Sequence, residues 1–219
     1  MTPDYERAAL AATETLIKYS ISSAPISPLP ILKKIPGVLV VTYQHMADEN
    51  TMDRACVIDM FGKDNHDAFT SVNMKNGKPQ YLVTYNQRLP QVFVQRSLAR
   101  ELGHIILGHD GSRPEDVRNE EARCFANHLL TPRPLINAIR AAGFPITMEC
   151  LGNLTGCYEY CLSCMRRIPV IHIPAELNRI IRDNFASYVD NFLYFWRVAS
   201  ETDSSAPADF GSYMEGYEE

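Results

Sequence analysis

Residues Leu98 to Asp110, LARELGHIILGHD, constrain this chain more than any other stretch. Pro90 suits a helical first turn, where its missing N–H is no loss. The helix it opens is expected to run to about Leu107. Gly108 is a natural terminator, because glycine enters the left-handed conformation that ends many helices. His109 and Asp110 then follow the stop. Within the helix, residues four apart share a face, so Arg100 and His104 are neighbours, with Glu101 beside them.

That arrangement is one residue short of H-E-x-x-H, in which two imidazoles one turn apart hold a zinc ion. In such a site N–Zn distances are about 2.0–2.1 Å, a third protein ligand comes from elsewhere, and one position stays open. The Glu acts as general base on a metal-bound water whose pKa falls to roughly 7. Here Glu101 and His104 are in place and Arg100 stands where the first His belongs. Arginine is permanently charged and has no lone pair for a metal. His109 is the candidate replacement. It lies about 140° round an ideal helix from His104, so it needs the Gly108 break to swing it inward.

A second segment, Asn119 to Pro132 (NEEARCFANHLLTP), places Glu120 and Glu121 ahead of an apolar stripe of Ala122, Phe125, Ala126, Leu129 and Leu130. This reads as a helix that can present an acidic ligand to the preceding one. The alternative is that both acids simply complement the helix dipole in the first turn.

Together the two segments resemble the ImmA/IrrE family of metallopeptidases. That family shows runs similar to F-T-x-A-H-E-L-G-H-x-x-L-G-H and E-x-E-A-n-x-F-A-x-x-L-L-x-P. The first is matched by Leu98, Ala99, Glu101, Leu102, Gly103, His104, Leu107, Gly108 and His109. The second is matched by Glu121, Ala122, Phe125, Ala126, Leu129, Leu130 and Pro132. Leu154-Thr155-Gly156 and Met165-Arg166-Arg167 extend the likeness, which covers roughly residues 5 to 170. It implies a zincin-like α+β fold, with a small antiparallel sheet packed on the active-site helix and a mostly helical C-terminal half. It also implies zinc as cofactor, ligands at positions 100, 104 and 121, Glu101 as catalytic base, and a helix-turn-helix repressor as protein substrate or partner. Position 100 departs from the pattern.

Upstream, Asp4 to Tyr19 reads as an amphipathic helix with Ala8, Ala11, Ala12, Leu16 and Ile17 on one side. Prolines at 25, 28, 30 and 36 exclude a long helix in the next stretch. Val38 to Tyr43 and Ala55 to Met60 read as strands. Ala68 to Asn73 and Gln80 to Tyr85 flank Asn76-Gly77, a strong hairpin signal. By the resemblance, Tyr85 and Asn86 would lie on an edge strand that takes extended substrate by β-augmentation; the plain alternative is that they only close a strand. His45 and His172 read as ordinary surface or extended-segment residues.

Downstream, Leu135 to Ala142 is a short helix. Cys157, Cys161 and Cys164 fall at i, i+4 and i+7, a buried helical face on which Cys acts as a small apolar residue. With Cys150, the C-x-x-C at 161–164 also admits a second zinc site. Ala175 to Ala199 is a helix with a broad aromatic face, from Leu177 and Ile181 through Phe185, Phe192 and Trp196, which expects packing against the body or a second copy, a possible homodimer. The expected organisation is a metallopeptidase-like domain at 1–172, the aromatic helix at 173–200, and an acidic tail at 201–219 whose composition predicts mobility.

With 219 residues, 46% of them hydrophobic, the chain can bury a sizeable core. A net charge of −5 argues against direct nucleic-acid binding. No apolar run spans a membrane, and MTPDYERAAL has no signal-peptide pattern. A cytoplasmic protein is expected, in which a disulfide framework is unusual. Two functional readings remain. One is an active zinc endopeptidase using His104, Glu121 and His109. The other is a degenerate relative that binds its partner, with the Arg100 guanidinium replacing the metal charge beside Glu121 or Glu101.

Overall fold

Asn76 and Gly77 take φ of 52° and 72°, the two left-handed positions that a tight two-residue hairpin requires. They join β2 (Ala68–Lys75) to β3 (Lys78–Tyr85), antiparallel, with Lys75 opposite Lys78. β1 (Val38–Thr42) lies on the other side of β3 and runs parallel to it, with Val38 opposite Tyr81. The strand order is β1-β3-β2. The sheet is therefore mixed, not antiparallel as expected. A parallel pair needs a long crossover, and here it carries α3 (Tyr43–Glu49), α4 (Arg54–Phe61) and β2. The computed structural model describes residues 1–49, 53–61, 67–144, 146, 152 and 171–202.

Two expectations are corrected by this sheet. Ala55 to Met60 is helical, within α4. Val57 and Ile58 favour a strand by branching, but Asp53 starts a helix: its Oδ1 accepts from Ala55 N at 2.8 Å and its carbonyl from Val57 N at 3.1 Å. The second concerns Tyr85 and Asn86. β3 is the middle strand, Tyr85 pairs with Thr42 on one side and Ala68 on the other, and Asn86 N donates to Asp67 O at 2.8 Å. No added strand can bind there. β1 and β2 each have a neighbour on one side only, and β2 is the one that exposes Val72 and Met74.

Around the sheet stand α1 (Tyr5–Lys18), α2 (Pro28–Lys34), α5 (Gln91–Ile106), α6 (Glu115–Leu130), α7 (Arg133–Ala141) and α8 (Ala175–Thr202). The whole is α+β, a small sheet with a mostly helical remainder. α5 and α6 pack at close range because residue 103 is glycine. A Cβ there would stand 3.0 Å from Phe125 Cδ1 and 3.2 Å from Ala122 O. Leu16, Leu98, Leu102, Phe125, Leu129, Ile139 and Phe185 fill the core between α1, α5, α6, α7 and α8. α8 buries Ile181, Phe185, Val189 and Leu193 against the body, while Tyr194, Phe195 and Val198 remain exposed. Cys124 is buried and Cys56 exposed; the predicted cysteine helix, with Cys150, and the acidic tail beyond 202 lie outside the described residues. No described helix is long and apolar enough to cross a membrane.

Candidate functional site

α5 ends in a turn that decides where His109 goes. Gly108 takes φ of 63°, its N–H bonds Ile105 O at 3.1 Å, and the His109 N–H bonds His104 O at 3.0 Å. These are the paired bonds of a Schellman motif with glycine at its left-handed position. The turn folds the chain back, so helical periodicity no longer governs residue 109. The His109 ring stands 4.9 Å from the His104 ring, nearly edge-on, with the two Nδ1 atoms 2.8 Å apart.

The other side of His109 meets α6, where its Nε2 lies 2.9 Å from Glu121 Oε2. Glu121 is almost fully buried and also takes Arg113 Nη1 on Oε2 and the Asp4 backbone N–H on Oε1, both at 2.8 Å. Its neighbour Glu120 instead pairs with Arg123 on a more exposed face. So of the two acids, Glu121 points inward and Glu120 outward. The Asp4 contact follows from α1: Asp4 caps that helix, accepting from Arg7 N at 3.0 Å, and the Arg7 guanidinium donates to Leu107 O.

This network fixes the proton positions. A carboxylate only accepts, so His109 Nε2 carries the hydrogen that faces Glu121. With both imidazoles neutral, His109 Nδ1 is then an acceptor, and His104 Nδ1 donates to it. Neutrality agrees with the environment. Burial, helped by the neighbouring His109 and by the charges of Arg100 and Arg118, pushes His104 down to about 3. His109 is also lowered by burial, against the opposing pull of Glu121. The His104 Nε2 lone pair remains, on a group too weakly basic to take a proton at neutral pH.

Glu101 is buried on the same helix one turn back. Its Oε2 accepts from the Thr70 hydroxyl on β2 at 2.7 Å. Burial pushes Glu101 up to about 7, against the lowering effects of Thr70 and Arg100. Glu101, His104, His109 and Arg118 face a cavity of about 510 Å³ walled by Phe69, Thr70, Val72 and Met74 of β2.

Do these residues fit zinc as arranged? Two imidazole nitrogens on one tetrahedral zinc stand about 3.3 Å apart, given bonds of about 2.0–2.1 Å. The His104–His109 spacing is instead that of a hydrogen bond. Glu121 sits at the opposite nitrogen of His109, so the three groups do not converge on one point. Arg113 adds a cation on the acid that would have to bind the metal. Among the described residues no group of three or more His, Cys, Asp or Glu side chains is placed to hold a metal ion. The arrangement does not fit.

The four candidates Glu101, His104, His109 and Glu121 are thus brought together. Arg100 acts on Glu101 and His104 through its charge, but the guanidinium on Glu121 belongs to Arg113. Sequence reasoning missed Arg113, Arg118, Arg7, Asp4 and Thr70. Only Asp4 carries a local signal, its helix-capping position; Arg7 and Thr70 act across long separations, and Arg113 and Arg118 act nearby but from a polar stretch that names no partner.

No family model, no curated protein and no solved structure matches this chain.

Proposed function

We propose that this chain is a metal-independent, non-peptidase relative of the ImmA/IrrE zincin-like proteins, and that it binds an extended protein segment along β2. The segment's source, by the same resemblance, is a helix-turn-helix repressor, so the protein would act in transcriptional or mobile-element regulation. The observation that carries the reading is the engagement of both His109 nitrogens, with Arg113 on Glu121: the polar groups of a peptidase site are spent on each other. The exposed β2 face, with Val72 and Met74 beside the cavity, offers main-chain hydrogen bonds and side-chain recesses to an added strand.

The active-enzyme reading is favoured by one feature, the Schellman turn that carries His109 to His104. Metal analysis of the purified chain separates the two. We expect far less than one zinc per chain, and no rise in melting temperature when zinc is added. Incubated with a repressor encoded beside it, the chain is expected to bind that protein and leave its mass unchanged, with binding lost in Val72→Asp. Stoichiometric zinc that disappears in His104→Ala, or cleavage of the repressor, would overturn the proposal.

A further inference from the structure

A second cavity, of about 630 Å³, opens between the C-terminal parts of α1 and α6, one side of α7 and the first turns of α8. Arg133, Arg179 and Arg182 line it, and among the described residues no Asp or Glu does. In a chain with a net charge of −5, three guanidiniums gathered around one recess depart from the average surface. Among the described residues Arg133 and Arg179 take part in no ion pair, and Arg182 has only a long contact, 3.9 Å, to exposed Asp183. Their donors are therefore available to a ligand.

The rest of the lining is suited to a molecule with two halves. Leu16, Ile173 and Ile181 give an apolar floor. His128, half-buried, is pushed down to about 4 by burial and then by Arg133, so it stays neutral and offers one donor and one acceptor. The volume falls within the roughly 300–1,000 Å³ of small-molecule sites.

We propose that this cavity binds a phosphate-bearing small molecule of about nucleotide size, its phosphates on Arg133, Arg179 and Arg182 and its organic part on the apolar floor. Guanidinium groups match phosphate oxygens two at a time, and among the described residues the one acid beside them is exposed Asp183, at 3.9 Å from Arg182. The inference is independent of the site between α5 and α6. The chain's own acidic tail is a poorer occupant. It departs from the far end of α8, a helix of 28 residues and so roughly 42 Å long, and reaches back only if drawn out over most of its length.

The test is calorimetric titration of the full chain with ATP and with inorganic pyrophosphate, without added metal, and with adenosine as the uncharged probe. ATP and pyrophosphate are expected to bind and adenosine not. Affinity should fall about tenfold or more in Arg133→Gln/Arg179→Gln, the scale of losing charge-assisted hydrogen bonds. It should be unchanged in Arg140→Gln, which removes an exposed charge outside the cavity. If circular dichroism shows the double variant unfolded, Arg179→Gln alone, at an exposed position, is expected to weaken ATP about threefold. Absence of ATP and pyrophosphate binding, equal binding by the cavity variants, an equal loss in Arg140→Gln, or binding that appears only after residues 203–219 are removed would each overturn the proposal.

Discussion

Glu101 and Glu121 sit on successive helices, are both buried, and meet opposite surroundings. Glu121 is faced by three donors: the Arg113 guanidinium, the His109 N–H and the Asp4 amide. Glu101 has the Thr70 hydroxyl on its carboxylate and is raised to about 7. Burial disfavours the charged form unless donors compensate, so the two halves of the site are set for different work. The α6 half is a closed lock of charge and hydrogen bonds. The α5 half is a carboxyl that changes protonation near neutral pH beside a cavity.

The sharpest way to break this contrast is Glu121→Ala. It strands a guanidinium, an imidazole N–H and a backbone amide at once, and is expected to cost about 4 kcal/mol, on the scale of breaking a buried ion pair from one side. Urea denaturation measures it; a loss near zero would mean the donors find other partners and the lock is not a unit.

Glu101→Gln tests the other half. The folded carboxyl at about 7 lies above its ordinary 4.5, so the native state holds a proton that the unfolded state gives up. That contribution is fully present below about 4.5 and is lost as pH rises through 7. The Gln variant lacks it and should gain on the wild type by about 3 kcal/mol between pH 4.5 and 8. His104, lowered to about 3, acts in the opposite sense, its stability lost as pH falls below about 6.5, and it is common to both proteins. A stability difference independent of pH would show that Glu101 keeps an ordinary carboxylate.

The smallest effect is Thr70→Val, about 1 kcal/mol for one lost hydrogen bond. It should also move upward the pH at which that loss is complete, since the hydroxyl holds the folded carboxyl down. A pH profile identical to the wild type would remove Thr70 from the account.

Local signals carried much of the fold into the sequence. Asn76-Gly77 announces the hairpin and Gly108 the end of α5, because each needs a conformation few residues accept. The parallel pairing of β1 with β3 has no local signature, since it depends on where the crossover lands. The helix at Arg54–Phe61 was obscured because a one-residue cap, Asp53, outweighs two β-branched side chains. In the site, the spacing of Glu101, His104 and Glu121 was readable as motif. His109 was readable only as an alternative, because a glycine stop replaces helical periodicity with turn geometry. Arg113 was not readable at all: it sits in a polar loop, and nothing in its neighbours says which acid it will meet.

The hydrogen bond from the Asp4 amide to Glu121 spans 117 positions, and that from Arg7 to Leu107 spans 100. Contacts so distant along the chain carry a large loop-closure entropy and tend to form slowly. During synthesis α1 has no Glu121 to dock on until more than half of the chain has left the ribosome. The hairpin between β2 and β3 is able to assemble before then, so the arrangement around Glu121 is completed late, as the opening helix swings in to finish it.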